Sequence, residues 1–164
     1  MKTGKVWKYG DDVNTDVIFP GKYTYQPMEP EEMAEHALED LDPDFAKNVA
    51  AGDVIVAGKN FGCGSSREQA ATCLKAAGVA AIVAPSFSRI FFRNAINSGL
   101  PVIELAEGGE SIAMGDEVGI DFAAGIVEHQ GASYAFPALP PEVLAILEDG
   151  GLIPHVKKVL AETT

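Results

Sequence analysis

Residues 60–71 read Asn60-Phe61-Gly62-Cys63-Gly64-Ser65-Ser66-Arg67-Glu68-Gln69-Ala70-Ala71, a turn placed where a strand gives way to a helix. We call Gly62–Arg67 the glycine turn. Its glycines let a ligand approach the backbone closely, because glycine adopts any φ without penalty. Two serine hydroxyls and an arginine fork then stand at the positive end of the helix dipole. Such a turn is typical of a site for an anionic, oxygen-rich small molecule.

Strands and helices alternate around this turn. The spacing of apolar residues, glycines and prolines predicts strands at residues 5–9, 53–57, 79–84 and 101–105, and helices at 30–40, 66–77 and 87–98. A strand–helix–strand–helix–strand succession indicates parallel pairing with right-handed crossovers. The fold class is therefore α/β.

In the C-terminal third the sequence pattern changes from alternating strands and helices to consecutive short strands. The residue pattern predicts a hairpin formed by residues 116–122 and 126–130, and a third short strand at residues 133–136. A terminal helix starts at the Pro140-Pro141 pair, is broken by two glycines and resumes to about residue 160. We expect added antiparallel strands here, and a single domain over residues 1–164.

Two local features near the glycine turn carry expectations of their own. Ser65 with Glu68, or Ser66 with Gln69, fits a capping box at the start of the helix. Residues 21–29 are rich in glycine, proline and polar side chains, which predicts a mobile loop.

Composition narrows the function classes. The formal net charge is −12, which argues against a nucleic-acid or anionic-membrane partner, since either would need a basic face. We see neither a signal peptide nor an apolar run of about 18 residues, the length that a membrane span needs. Two cysteines make no disulfide framework, so we expect a cytoplasmic protein.

Other chemistries fail on spacing. The chain has no Gly-x-Ser-x-Gly elbow and no P-loop, and Gly62-x-Gly64 alone is too weak for a dinucleotide fingerprint. Two cysteines are too few to hold an iron–sulfur cluster. The three histidines sit in separate elements without ligand spacing, so we expect no metal site in this chain.

Three motifs in order carry a resemblance. The Gly62–Glu68 run is similar to the Gly-x-Gly-Ser-Ser-Arg-Glu signature of the swivelling domain of the aconitase superfamily. Asp12-Val13-Asn14-Thr15-Asp16-Val17-Ile18 resembles its Asn-Thr-Asp motif, and residues 86–101 resemble its second long signature. The chain thus looks like a member of the isopropylmalate dehydratase small-subunit family, the free-standing form of that domain. The resemblance implies a three-layer β/β/α fold with a mostly parallel core.

The resemblance also implies a function. Members of the family are parts of hydro-lyases that isomerise or dehydrate a hydroxy dicarboxylic acid. A large subunit carries a [4Fe–4S] cluster and the small subunit closes over it, so we expect a heterodimer or heterotetramer. By resemblance, Ser65 is the base, Ser66 and Arg67 bind a substrate carboxylate and Gly64 lets the substrate reach the backbone. Asp16 would enter the site and orient a group of the partner chain.

One departure bears on the substrate. Many relatives place an arginine in the loop that corresponds to residues 21–29, where this chain offers Lys22, Tyr23 and Tyr25. Tyrosines at the substrate suit an apolar substituent better than a third carboxylate. That favours 3-isopropylmalate in leucine biosynthesis, with dimethylmalate or citramalate as alternatives and homoaconitate less favoured. Arg89 and Arg93, four apart on a helix, would secure the fold or a subunit interface.

Two readings from other classes stay open. A non-catalytic domain could use the glycine turn as a carboxylate pocket, and would then bind carboxylates without a partner. A serine hydrolase could use Ser65 as nucleophile, although no His or Lys is near it in sequence.

Overall fold

The computed structural model describes residues 1–163; Thr164, the last residue of the predicted single domain, lies outside the described residues. Its strands are β1 (Lys2–Lys8), β2 (Val54–Val56), β3 (Ala81–Ala84), β4 (Val102–Glu104), β5 (Glu117–Asp121), β6 (Ile126–His129) and β7 (Ala132–Ala135). They form one sheet in the order β4-β3-β2-β1-β5-β6-β7.

Strand β1 joins two halves of this sheet that differ in direction. Val6 of β1 pairs in parallel with Val54 of β2, and β3 and β4 extend the parallel half. Near its start, Lys2 of β1 pairs antiparallel with Ile120 of β5, and β6 and β7 extend that half. Both the predicted parallel core and the predicted added antiparallel strands are confirmed.

The helices are α1 (Thr15–Ile18), α2 (Pro30–Ala34), α3 (Phe45–Asn48), α4 (Glu68–Ala76), α5 (Arg89–Asn97), α6 (Pro141–Glu148) and α7 (Leu152–Thr163). Helices α4 and α5 are the crossovers between parallel strands, as the alternating pattern requires. Single 3₁₀ turns lie at Gly21–Tyr23 and Gly109–Ser111. Among the described residues no helix is long and apolar enough to cross a membrane.

The parallel strands are buried on both faces, which explains their continuous apolar runs. Ile55 and Ile82 face a core built with α4 and α5. Val54 and Val83 face a second core, shared with Val118 and other residues of the antiparallel half. The sheet therefore curls so that its antiparallel half covers the face opposite the helices, giving the three-layer β/β/α arrangement that the resemblance implies.

The helix predicted at residues 30–40 is shorter than expected, because α2 ends at Ala34. Beyond it the chain continues in turns, and Leu38 takes a left-handed conformation with φ of 56°. The Leu38 N–H donates to the Ile18 carbonyl oxygen at 2.8 Å instead of continuing the helix. A contact with a distant segment thus overrides local helix propensity.

The predicted capping box is wrong. Helix α4 begins at Glu68, its N-cap is Arg67 in an extended conformation (φ −130°, ψ 117°), and no side chain caps it. The two serines therefore lie ahead of the helix, in the turn itself. Extended backbone at Arg67 directs its side chain away from the helix and across to α1.

Three loops meet at one edge of the sheet. The segment 11–16 follows β1, the glycine turn follows β2, and residues 85–88 follow β3. Since carboxyl ends of parallel strands lie at the same edge, this edge is where α/β folds bind ligands.

Candidate active site at the glycine turn

The glycine turn has a backbone path that only glycine can follow without strain. Gly62 has φ of 82° and Gly64 has φ of 97°. A Cβ on Gly62 would collide with the Phe91 ring, and one on Gly64 would lie 2.7 Å from Oδ1 of Asn14. Close packing against α5 on one side and the 11–16 segment on the other fixes the shape of the turn.

Hydrogen bonds join the turn to the segment that contains α1. The Thr15 N–H donates to the Cys63 carbonyl oxygen at 2.8 Å, and the Thr15 hydroxyl donates to the Ser65 carbonyl oxygen at 2.8 Å. The Asn14 side chain accepts from the Asp16 N–H at 2.8 Å and so caps α1. Thr15 is buried, so its two bonds are shielded from water and hold the two segments in register.

Arg67 is the electrostatic centre of the site. One guanidinium nitrogen, Nη2, forms an ion pair with Oδ1 of Asp16, and the other, Nη1, donates to the Phe19 carbonyl oxygen at 3.3 Å. The Arg67 side chain is only 15% exposed, whereas that of Asp16 is 53% exposed. Gly21 leaves room for this cation, since a Cβ there would lie 3.1 Å from Nη2. The guanidinium group is thus fixed in place beside the more exposed carboxylate of Asp16.

Ser65 and Ser66 are exposed at the tip of the turn. Neither hydroxyl makes a hydrogen bond to another residue in the part of the chain that the structure describes. The Ser65 backbone is held through its carbonyl while its side chain remains free. This arrangement suits a hydroxyl that acts on a bound molecule.

The two tyrosines of the 21–29 loop differ in their surroundings. Tyr23 is half-buried, stacks on the His36 ring at 4.1 Å between centroids, and donates from its hydroxyl to Glu39 at 3.2 Å. Tyr25 is 97% exposed. The structure therefore brings Asp16, Gly64, Ser65 and Arg67 together. Tyr23 packs against the ring of Phe19, whose carbonyl oxygen accepts from Arg67, but Tyr25 has no part in the cluster. The predicted mobility of this loop stays a prediction.

Sequence reasoning missed several residues that build the site. Thr15 and Asn14 lie inside the Asn-Thr-Asp motif, so the motif itself was the signal for them. Nothing in the sequence signals that the Phe19 carbonyl oxygen accepts from Arg67 or that His36 and Glu39 anchor Tyr23.

Each histidine is already bonded to a carboxylate elsewhere. His36 contacts Glu39 at 3.1 Å, His129 contacts Asp116 at 2.8 Å and His155 contacts Asp149 at 2.7 Å. Hydrogen bonds from the Ala113 N–H and from His129 lower the pKa of Asp116. Within residues 1–163 no histidine reaches Ser65, which argues against the hydrolase reading.

The donor set of this chain does not fit a [4Fe–4S] cluster. Such a cluster needs three or four thiolates, and Cys73 is fully buried with its thiol directed at the carbonyl oxygens of Ala70 (3.3 Å) and Ile18 (3.7 Å). Burial raises the pKa of the Cys73 thiol, which disfavours the thiolate that a metal would need. That leaves Cys63 alone. No group of three or more His, Cys, Asp or Glu residues among those described could hold a metal ion.

Comparison with known proteins places this geometry in a family. The model of the aconitase C-terminal domain matches residues 12–108, a span that contains all of the site residues above. The 3-isopropylmalate dehydratase small subunit 1 of Thermotoga maritima is 53% identical over 160 residues, 96% of each chain. The small subunit from Heliobacterium modesticaldum is 49% identical over 98% of this chain and 97% of its own.

A solved structure supports the same family membership. The crystal structure of 3-isopropylmalate dehydratase (leuD) from Methanocaldococcus jannaschii superposes with a TM-score of 0.91 at 41% sequence identity. The match covers 99% of this chain and 98% of that one. The resemblance in fold therefore extends over nearly the whole length of both chains.

Proposed function

The chain belongs to the aconitase C-terminal domain family, and we propose that it is the small subunit of a 3-isopropylmalate dehydratase that serves leucine biosynthesis. It is part of a hydro-lyase and acts together with a large subunit. The proposal treats residues 1–164 as one swivelling domain that brings the glycine turn to the substrate.

The convergence of two motifs carries this proposal. Asp16 and Arg67 are 51 residues apart in sequence and form an ion pair. This ion pair lies at the end of the glycine turn where α4 begins, and Ser65 is exposed two residues earlier in the same turn. A fixed cation beside free hydroxyls recognises a carboxylate and can favour charge that develops on a neighbouring oxygen.

The reaction needs a proton taken from a carbon next to a carboxylate. In our proposal the Ser65 Oγ, as an alkoxide, takes that proton while the C–O bond to the substrate hydroxyl breaks and a C=C bond forms. The hydroxyl leaves with the electron pair of the C–O bond as hydroxide, and the proton that Ser65 has taken is passed to it, so that water is released and the alkoxide is restored. Addition of water with the opposite placement then gives the isomeric hydroxy acid.

A serine alkoxide is costly in water, so the surroundings of Ser65 must favour it. Arg67, two residues further along the turn, supplies a fixed positive charge, and Ser66 and the Gly64 backbone complete the binding of a substrate carboxylate. Asp16 holds Arg67 in this chain, and we propose that it also faces a group of the partner subunit.

The remaining parts of the enzyme lie outside this chain. Because its cysteines do not fit a cluster, we propose that a [4Fe–4S] cluster is carried by the large subunit, in a heterodimer or heterotetramer. We also propose that the complex works in the cytoplasm. Tyr23, and the exposed Tyr25 once the substrate and the large subunit are bound, would contact the apolar substituent of the substrate, which favours isopropylmalate over dimethylmalate, citramalate or homoaconitate.

An anaerobic assay tests the proposal. The chain is measured alone and with its cognate large subunit, with isopropylmalate, citramalate, dimethylmalate and homocitrate offered separately and the unsaturated acid followed. Turnover of isopropylmalate only in the mixture is expected. No turnover of any of the four in a formed complex with an intact cluster would reject the proposal and favour a non-catalytic carboxylate-binding domain.

A further inference from the structure

Two of the three arginines of this chain have no partner of their own. Arg67 is paired with Asp16, but Arg89 and Arg93 are exposed and make neither a hydrogen bond nor an ion pair within residues 1–163. They lie four residues apart on α5, so both guanidinium groups project from one face of the helix. The expectation that they secure the fold therefore finds no support in these contacts.

A groove of about 560 Å³ runs along this face of α5. Besides the two arginines, apolar side chains from α5, from α6 and from the segment just before α5 line it, together with Asn97 and one carboxylate, Glu104, at the end of β4. The apolar lining residues are Phe87, Phe92, Ile96, Val143 and Ile146. Arginine and aromatic side chains are enriched at the energetically important centres of interfaces.

This face is continuous with the glycine turn. The Phe61 N–H donates to the Ser86 carbonyl oxygen at 3.1 Å, and the Ser88 N–H donates to the Phe61 carbonyl oxygen at 2.9 Å. The Phe61 and Phe87 rings also pack edge to face, 6.0 Å between centroids. Arg89, the first residue of α5, thus follows directly on a segment that is bonded to the start of the turn. A partner chain that covered the glycine turn would therefore lie close to the Arg89 end of this groove.

We propose that the Arg89–Arg93 face of α5 is a docking surface for acidic side chains of the large subunit. The inference rests on the proposed function, since it takes the large subunit as the chain that closes the site. The protein as a whole carries a net charge of −12, yet this face offers two unpaired cations, which are complementary to acidic side chains of an occupant. The proposed function and the short distance along the chain between this face and the segment bonded to Phe61 select the large subunit as that occupant. The apolar floor between them accommodates an apolar side chain flanked by the acidic ones. Ile90, 45% exposed beside the arginines, extends the contact.

Charge reversal tests the docking surface. Arg89→Glu/Arg93→Glu is compared with Lys47→Glu/Lys157→Glu, which alters the net charge equally at exposed lysines on α3 and α7. The dissociation constant for the purified large subunit is measured at low and high salt. We expect at least about a tenfold weaker Kd and a reduced salt dependence for the arginine variant, because rim charges steer and stabilise association. The lysine variant should bind within about twofold of the unchanged chain.

A second readout separates docking from chemistry. At saturating large subunit, the arginine variant should regain kcat within about twofold, since neither arginine contacts the reacting atoms in this account. If charge reversal impairs folding, Arg89→Ala/Arg93→Ala replaces it, with a smaller loss of affinity expected in the same direction. Equal Kd values for the arginine and lysine variants overturn the docking surface.

Other occupants give distinct outcomes. A change in self-association on charge reversal, seen by sedimentation, with unaltered affinity for the large subunit overturns the proposal in favour of a second copy. Saturable binding of citrate to the unchanged chain that charge reversal abolishes, again with unaltered affinity for the large subunit, overturns it in favour of a small anion. Failure of the unchanged chain to bind or turn over with its large subunit rejects the proposed function instead.

Discussion

The hydroxyl of Thr15 donates a 2.8 Å hydrogen bond to the carbonyl oxygen of Ser65, across 50 residues of sequence. This bond positions the proposed base from behind and leaves the Ser65 side chain free. The Asn-Thr-Asp motif therefore has two roles: Thr15 holds the backbone of the glycine turn, and Asp16 forms the ion pair with Arg67.

Thr15→Val tests this support. Valine keeps the shape of the buried side chain but leaves the Ser65 carbonyl without its donor, so we expect the free energy of unfolding to fall by about 1 kcal/mol. Turnover of the reconstituted enzyme should fall by at least about tenfold, because small displacements of reacting groups are costly. Thr72→Val is the control, since it removes a hydroxyl that bonds only within α4, to the Glu68 carbonyl oxygen. Equal turnover for the two variants would contradict the positioning role.

Glycine at position 64 is required for two separable reasons. Gly64→Ala places a Cβ against the Asn14 side chain at a φ of 97°, whereas Gly52→Ala meets no atom within 4 Å at a φ of 96°. Both variants incur the backbone strain, about 1–2 kcal/mol, but only Gly64→Ala should also displace the cap of α1. We expect the midpoint of thermal unfolding to fall further for Gly64→Ala, and the activity of the complex to fall only for that variant. Similar losses in both would show that the Asn14 contact is unimportant.

Arg67→Lys retains a positive charge but loses the planar fork. A single ammonium cannot match the paired geometry toward Asp16 and the Phe19 carbonyl oxygen while also binding a carboxylate. We expect kcat/KM of the reconstituted enzyme to fall by about a hundredfold with assembly retained, as measured by steady-state kinetics and by the Kd for the large subunit. A loss below about threefold would mean that charge alone suffices.

The ionisation of Asp116 makes the stability of the fold depend on pH in the acid range. The Ala113 N–H and then the His129 ring hold the pKa of Asp116 below its ordinary value, with the Lys8 ammonium adding to the effect. A lowered folded-state pKa contributes stability above the unfolded pKa of about 4, and this contribution is lost as pH falls through the folded pKa.

The melting temperature of the Asp116→Asn variant should therefore lie below that of the unchanged chain at about pH 5 and above. The difference between the two melting temperatures should become smaller below about pH 4. Asp40→Asn, at an exposed carboxylate, serves as the control and should show no such narrowing. A difference in melting temperature that stays constant from pH 6 to pH 3 would show that ionisation of the Asp116 carboxyl group does not cause it.

Much of the fold could be predicted because periodicity and glycine placement are local signals. The buried run of β2 and the stop at Gly78, which takes φ of 101°, are examples. The early end of α2 could not be predicted, since the Leu38 N–H bonds to a carbonyl 20 residues away.

The same limit applied to the site. The sequence singled out Ser65, Arg67 and Asp16, but suggested a capping box where the structure has an arginine that reaches across to α1. Pairings of distant segments depend on how the sheet brings its loops to one edge, and no local pattern records them.

In our proposal the glycine turn of this chain supplies the base of a hydro-lyase. The most direct test measures kcat of the complex reconstituted anaerobically with Ser65→Ala, beside Ser133→Ala as a control at an exposed serine of β7. We expect that the Ser65→Ala variant assembles and binds isopropylmalate normally but loses at least about a thousandfold in kcat, while the Ser133→Ala variant matches the unchanged enzyme. Near-normal turnover by the Ser65→Ala complex would contradict it.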